Sequence, residues 1–159
     1  MALFEMRPFT LAEAGQIARW AQRAEDAWQV AGAREPLTAA DVTRWTLETN
    51  YALTLLLDGD PVAYAEIVED DVEGDAEIQH LLIAPSMRGR GIGREMLARL
   101  CAFAGERLPY PDIWLRARRD HPPAIRCAQA AGFAPVEALS GPQYVWLKRA
   151  VADALPPTP

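Results

Sequence analysis

Between Leu81 and Leu100 the chain reads LLIAPSMRGRGIGREMLARL. An apolar run passes a proline, crosses the segment Arg88, Gly89, Arg90, Gly91, Ile92, Gly93, and continues at once with helical spacing. The three alternating glycines therefore sit where a strand feeds a helix. Glycine lets the backbone approach a ligand closely, and the first turn of a helix carries N–H groups with no internal partner. Several donors and the positive end of the helix dipole then converge on one anion, with Arg88 and Arg90 adding charge at the same mouth.

The ligand at that mouth has to be small. The 159 residues carry a formal net charge of -6, whereas nucleic acid or an anionic membrane demands a basic footprint, so neither is expected as a partner. A nucleotide-hydrolysing loop needs GxxxxGK followed by Ser or Thr, and the dinucleotide fingerprint needs GxGxxG; alternating glycines fit neither. A single RGRG between a strand and an amphipathic helix of an acidic chain is also a poor match to disordered RNA-binding repeats.

The length suits one domain over residues 1–150, with residues 151–159, ending PPTP, expected to be a disordered tail. Cys101 and Cys127 fall in helical segments without CxxC spacing or a histidine cluster. Reduced packing thiols, no metal and a cytoplasmic location are the expectation. The amino-terminal MALFEMRPF carries charges where a signal peptide needs an unbroken apolar run, and no stretch approaches the ~18 apolar residues of a membrane span.

In chain order, Ala2 to Met6 reads as a strand, and Thr10 caps an amphipathic helix with Leu11, Ala14, Ile17, Ala18, Ala21 and Ala24 inward and Glu13, Gln16, Arg19 and Arg23 outward. Gly32 to Pro36 breaks it, and Thr38 with Asp41 forms a capping box for a second helix to about Glu48. Ala52 to Leu57, the turn Asp58-Gly59-Asp60-Pro61 and Val62 to Val68 make a hairpin, and an acidic turn from Glu69 to Asp75 leads into a strand from Ala76 to Ala84. The glycine-led helix runs to about Leu108. A strand from Asp112 to Ala117, a helix opened by Pro122 and Pro123 and closed by Gly132, and a final hairpin (Phe133 to Leu139, then Gln143 to Lys148) complete the pattern. The fold class is α/β, a mixed sheet covered by helices.

The glycine segment resembles the acetyl-CoA loop of the GNAT N-acetyltransferases, whose pattern is Arg or Gln, two residues, Gly, one residue, then Gly or Ala. Arg88, Gly91 and Gly93 fill the three places. The strand ending in LLIAP and the AGF of Ala131 to Phe133 are similar to the same family, as is the order of elements. The resemblance implies a GNAT acyl-CoA N-acyltransferase fold of about seven strands and four helices. It also implies a direct transfer, in which an acceptor's primary amine attacks the thioester of acetyl-CoA with no metal and no covalent enzyme intermediate. Backbone N–H groups from Arg88 to Gly93 would then bind the diphosphate, and the strand at Leu82 and Ile83 would bind the pantetheine arm. His121, where the family usually has an Asn at the head of a helix, joins the coenzyme-binding set.

What remains for the protein is proximity, a base and an acid. Glu77, eleven residues before Arg88, stands where several family members carry a catalytic Glu. The plainer reading makes it the last charge of the solvated turn that includes Glu69, Asp70, Asp71, Glu73 and Asp75. Glu66 and His80 are weaker candidates. The family's usual Tyr acid is replaced by Ala128, which leaves Tyr144 and His121 as donors, or a thiolate that leaves unaided. Cys127, beside that position, reads as a structural thiol. Trp20, Trp28, Trp45 and Tyr51 are candidates for the acceptor wall, against the more usual role of such aromatics in a core. Asp70 and Asp71 would attract a cationic amine, or simply solvate a turn. The acceptor is an amine-bearing small molecule or peptide, met by a monomer or homodimer; the rival is a non-catalytic acyl-CoA-binding domain.

Overall fold

Asp58 and Gly59, with φ of 50° and 89°, turn the chain between β2 (Tyr51–Leu57) and β3 (Asp60–Asp70). The same turn holds the amino terminus. Asp58 accepts the Leu3 N–H at its carboxylate, and its own N–H donates to the Leu3 carbonyl, both at 2.9 Å. The strand that follows, β1 (Phe4–Pro8), pairs antiparallel with β2 and lies later than the expected Ala2 to Met6. Pairing runs on to Pro8, a strand end where the missing proline N–H is tolerated.

The computed structural model describes residues 1–23, 26 and 35–151. Ala24, Trp28 and Gly32 lie outside the described residues, as do residues 152–159 of the expected tail. The seven-stranded sheet has the order β1-β2-β3-β4-β5-β7-β6, and the chain forms two compact units that share β4 (Asp75–Ile83).

The first unit comprises Met1–Val68 and His80–Ile92. Its described residues include the helices α1 (Ala14–Arg19) and α2 (Ala39–Glu48). The capping box predicted for α2 is present: the Asp41 N–H donates to Thr38 Oγ1 at 3.2 Å, and the Thr38 N–H donates to Asp41 Oδ2 at 2.8 Å. Ile17, Val42, Trp45, Tyr64 and Leu82 form the heart of the core, each such side chain contributing about 1.5–3 kcal/mol by leaving water. The first helix departs from expectation, since a 3-10 turn (Leu11–Glu13) precedes a six-residue α1. Glu13 also points inward, at 9% exposure, rather than outward. Arg7 pairs with its carboxylate, and the Thr54 and Thr10 hydroxyls donate to it at 2.8 and 3.2 Å. Helical spacing could not show this, because Arg7 and Thr54 come from two strands.

The second unit comprises Glu69–Gln79 and the chain from Gly93 onward. α3 (Ile92–Arg107) buries Met96, Leu97, Leu100, Cys101 and Ala104. It links β4 to β5 (Asp112–Arg118), and Ala76, Glu77 and Ile78 pair in parallel with Ile113, Trp114 and Leu115, an arrangement that requires such a crossover. Pro122 and Pro123 open α4 (Pro122–Ala130), and Gly132, with φ of 91°, ends it. β6 (Ala134–Pro135) has two residues where a full hairpin arm was expected, although β7 (Tyr144–Ala150) is a complete strand. Pro135 has no N–H for a ladder, and Ser140 takes over the pairing: its Oγ accepts the Trp146 N–H at 3.0 Å and donates to the Val136 carbonyl at 2.9 Å.

Candidate functional site

The glycine segment is a tight turn between β4 and α3. A 3-10 turn (Pro85–Met87) follows β4, and Gly89 and Gly91 take φ of 76° and 79°, left-handed values that only glycine adopts at no steric cost. A Cβ placed on either glycine would meet nothing within 4 Å. Backbone conformation thus demands these glycines, and the space over them is open to a ligand. Ile92, 3% exposed, anchors the first turn of α3.

Arg88 is placed differently from the charge expected at the mouth. Its Nε donates to the Ile83 carbonyl at 3.3 Å, its Nη2 to the Trp20 carbonyl at 2.9 Å, and its Nη1 to Asp26 at 3.2 Å. The guanidinium straps the loop to the end of α1. Arg90 is exposed, with Nη1 4.0 Å from the Met87 sulfur. Leu82 is buried and Ile83 half-buried, and the Ile83 carbonyl is already engaged by Arg88.

A second cluster in the first unit lies around Glu66, whose side chain is 2% exposed. The Tyr64 hydroxyl donates to Glu66 Oε2 at 2.6 Å, and His80 Nδ1 lies 3.1 Å from Oε1. The His80 ring stacks on Trp45, with centroids 3.9 Å apart and planes at 7°. Burial, reinforced by the charge of Glu66, pushes the Tyr64 hydroxyl well above its ordinary range, so it stays a neutral donor. His80 has φ of 50° within β4. A left-handed residue in a strand costs on the order of 1–3 kcal/mol, and histidine is one of the few types that tolerate it.

The remaining predicted residues lie in the second unit. Glu77 is half-buried on β4 opposite Trp114. Burial first, then the charges of Asp70, Glu73 and Asp112, raise the carboxyl of neighbouring Asp75. His121 is the N-cap of α4 with no side-chain capping bond, and Ala128 is buried on that helix. Tyr144 starts β7 with the Arg116 and Arg118 guanidinium groups 4.3 and 5.5 Å from its ring centroid. Burial raises the Cys127 thiol, as it does that of Cys101, and neither cysteine is in a disulfide. Of the aromatic wall candidates, Trp20 and Trp45 belong to the core and Tyr51 is half-buried; Trp28 lies outside the described residues. Among the described residues no group of three or more His, Cys, Asp or Glu is placed to hold a metal. No helix of these residues is long and apolar enough to cross a membrane.

The structure thus gathers Leu82, Ile83, Arg88, Gly89, Arg90, Gly91 and Ile92 in one unit, and Glu77, Gly93, His121 and Tyr144 in the other. Sequence reasoning named Glu66 and His80 separately and did not place them together. The signal was there, an acidic residue and a histidine on successive strands, but nothing in the pattern fixed their register.

The sequence profile of the acetyltransferase (GNAT) family matches residues 16–133. The chain belongs to the GNAT family. A mycothiol acetyltransferase of Geodermatophilus obscurus is 38% identical over 81 residues, 51% of this chain and 25% of that protein. A streptothricin acetyltransferase of Streptomyces lavendulae is 32% identical over 77 residues, 48% of this chain and 40% of that protein. The match therefore spans a quarter of the length of one relative and two fifths of the other. Among solved structures, an aminoglycoside acetyltransferase in complex with coenzyme A superposes with a TM-score of 0.74 at 22% identity, covering 93% of this chain and 95% of that one. The mixed sheet of seven strands, with four α-helices among the described residues, is thus the GNAT fold.

Proposed function

We propose that this GNAT protein is an acetyl-CoA-dependent N-acetyltransferase that moves the acetyl group to a primary amine of a small molecule or peptide by direct attack. The observation that carries the reading is the pair of left-handed glycines, Gly89 and Gly91, with open space above them at the start of α3. That geometry suits a diphosphate held by backbone N–H groups from Gly89 to Gly93 and by the helix dipole. The Arg88 side chain serves the site by fixing the loop, Arg90 supplies exposed charge, and β4 at Leu82 and Ile83 borders the pantetheine arm. The GNAT relatives named for mycothiol, streptothricin and aminoglycoside acetylation support an amine acceptor.

Acetyl-CoA supplies an activated acyl group on a good leaving thiolate; the chain supplies orientation and a place for the amine's protons. β4 offers two proton acceptors, Glu77 and His80. With Ala128 where the family's phenol usually stands, Tyr144 is the hydroxyl proposed to assist the thiolate, and His121 is proposed to flank the coenzyme at the head of α4. The two thiols, raised by burial and unpaired, suit a reducing cytoplasmic setting.

Incubation with acetyl-CoA and a panel of spermine, kanamycin and a peptide with a free amino terminus, with release of free thiol followed, tests the reading. Thiol release that depends on the amine is expected. Tight acetyl-CoA binding with no turnover on any amine would replace the enzyme with a non-catalytic coenzyme-binding domain.

A further inference from the structure

We infer that His80 is the catalytic base, taking the acceptor's ammonium proton at Nε2 while Glu66, fixed by Tyr64, positions the ring through Nδ1. The inference rests on the acetyltransferase reading and deepens it by assigning the proton acceptor.

Several observations converge on one imidazole. Glu66 comes from β3 and is fully enclosed, so its carboxylate cannot itself meet a substrate. Both its oxygens are engaged, one by the Tyr64 hydroxyl at 2.6 Å and one by His80 Nδ1 at 3.1 Å. A carboxylate that accepts from Nδ1–H selects the neutral tautomer with its lone pair on Nε2. Trp45 of α2 stacks flat on the ring at 3.9 Å, which prevents rotation and favours the imidazolium once it forms. The His80 side chain is 22% exposed, against 2% for Glu66, so of the pair it is the ring that is within reach of a substrate. The left-handed backbone at His80 interrupts regular strand geometry at this residue, the kind of local outlier that collects at functional positions. His80 is also two residues from Leu82, on the stretch of β4 assigned to the pantetheine arm, whereas Glu77 is five residues away.

The chemistry balances. One proton of the acceptor R–NH3+ passes to His80 Nε2, and the nitrogen lone pair so exposed forms the N–C bond to the thioester carbonyl. The C–S bond then breaks, a second nitrogen proton ends on the coenzyme sulfur, and the amide leaves neutral. His80 returns its proton to water, giving one net proton released per turnover. Glu66 Oε1 keeps its place beside Nδ1 throughout and so faces the charge that forms on the ring.

Glycine suits φ of 50°, so His80→Gly removes the ring without straining the strand and leaves a slot beside Trp45. The variant is expected to lose on the order of 100-fold in kcat/KM for whichever amine the wild type acetylates. Its acetyl-CoA affinity by calorimetry should stay within about twofold, and added imidazole should restore about tenfold or more. His80→Asn, also tolerant of left-handed backbone, should show the same loss with no rescue, since no slot is opened. Wild-type turnover in either variant, with Glu77→Gln inactive and still binding acetyl-CoA, would transfer the role to Glu77. A loss that imidazole leaves untouched, accompanied by weakened acetyl-CoA binding, would reduce His80 to a structural residue. A wild type that binds acetyl-CoA but acetylates no amine would overturn the acetyltransferase reading itself, a result distinct from both.

Discussion

The glycine turn and the Glu66–His80 cluster, both in the first unit, are built on opposite principles. The turn offers backbone: two left-handed glycines, open space where side chains would be, and the start of a helix. The cluster offers side chains: an enclosed carboxylate, a phenol and an imidazole held by hydrogen bonds of 2.6 and 3.1 Å and by an indole face. The difference follows from what each must hold. A phosphate group is charged and strongly hydrated, and it is met best by several donors at an accessible surface. A proton acceptor needs one atom in one orientation, which calls for a rigid and largely dry support. The donors of the first are local backbone, with Arg88 tying the loop to the Trp20 carbonyl from outside; the second is made wholly of side chains that tertiary packing brings together.

The contrast makes its largest prediction at the turn. Gly91→Glu adds bulk, a left-handed side chain and a negative charge where the diphosphate is proposed to sit, and acetyl-CoA affinity should fall by about 100-fold or more. Because the space around Gly91 is open, Gly91→Ala as a control should cost only about 1 kcal/mol of stability, from the positive φ. Unchanged affinity in the Glu variant, measured by calorimetry, would remove the turn from the site and leave the comparison without one of its sides.

At the cluster the expected effect is on stability before binding. Tyr64→Phe leaves Glu66 Oε2 enclosed without its phenol donor, and unfolding free energy should drop by about 1–3 kcal/mol. The denaturant midpoint should fall while acetyl-CoA affinity holds. A parallel loss of affinity would show that turn and cluster are coupled and blunt the distinction.

The smallest effect is expected at a feature that belongs to neither region, the Thr38 capping box. Thr38→Ala should cost about 1 kcal/mol, read as a lower denaturant midpoint with acetyl-CoA affinity unchanged. The box is also pH-dependent in a defined direction. Hydrogen bonding from Thr38 lowers the Asp41 carboxyl below its ordinary 3.8. The contribution of the ionised Asp41 is therefore fully present above that value and is lost as pH falls through the lowered folded-state value, so the wild-type and Asp41→Asn midpoints should converge in strong acid. The Thr38→Ala deficit, which includes the non-titrating bond from the Asp41 N–H to Thr38 Oγ1, should narrow only in part. A gap between wild type and Asp41→Asn that is independent of pH would remove the ionised carboxylate from the box's contribution.

Much of this protein was legible in order along the chain. The turn at Asp58-Gly59, the cap at Thr38, the prolines that open α4, Gly132 at its end and the glycine turn before α3 all appear at or within a residue or two of their expected places. Each depends on φ and ψ preferences and on bonds spanning a few residues, which a sequence states directly. Tertiary structure decided the rest. It turned Glu13 inward to meet Thr54, 41 residues away, and tied Arg88 to the Trp20 carbonyl across 68 residues. It also brought Glu66 and His80 together across 14 residues by strand register. A polar side chain leaves water only where partners from other segments replace its hydrogen bonds. Those partners are set by how strands and helices meet, and no local pattern contains that information.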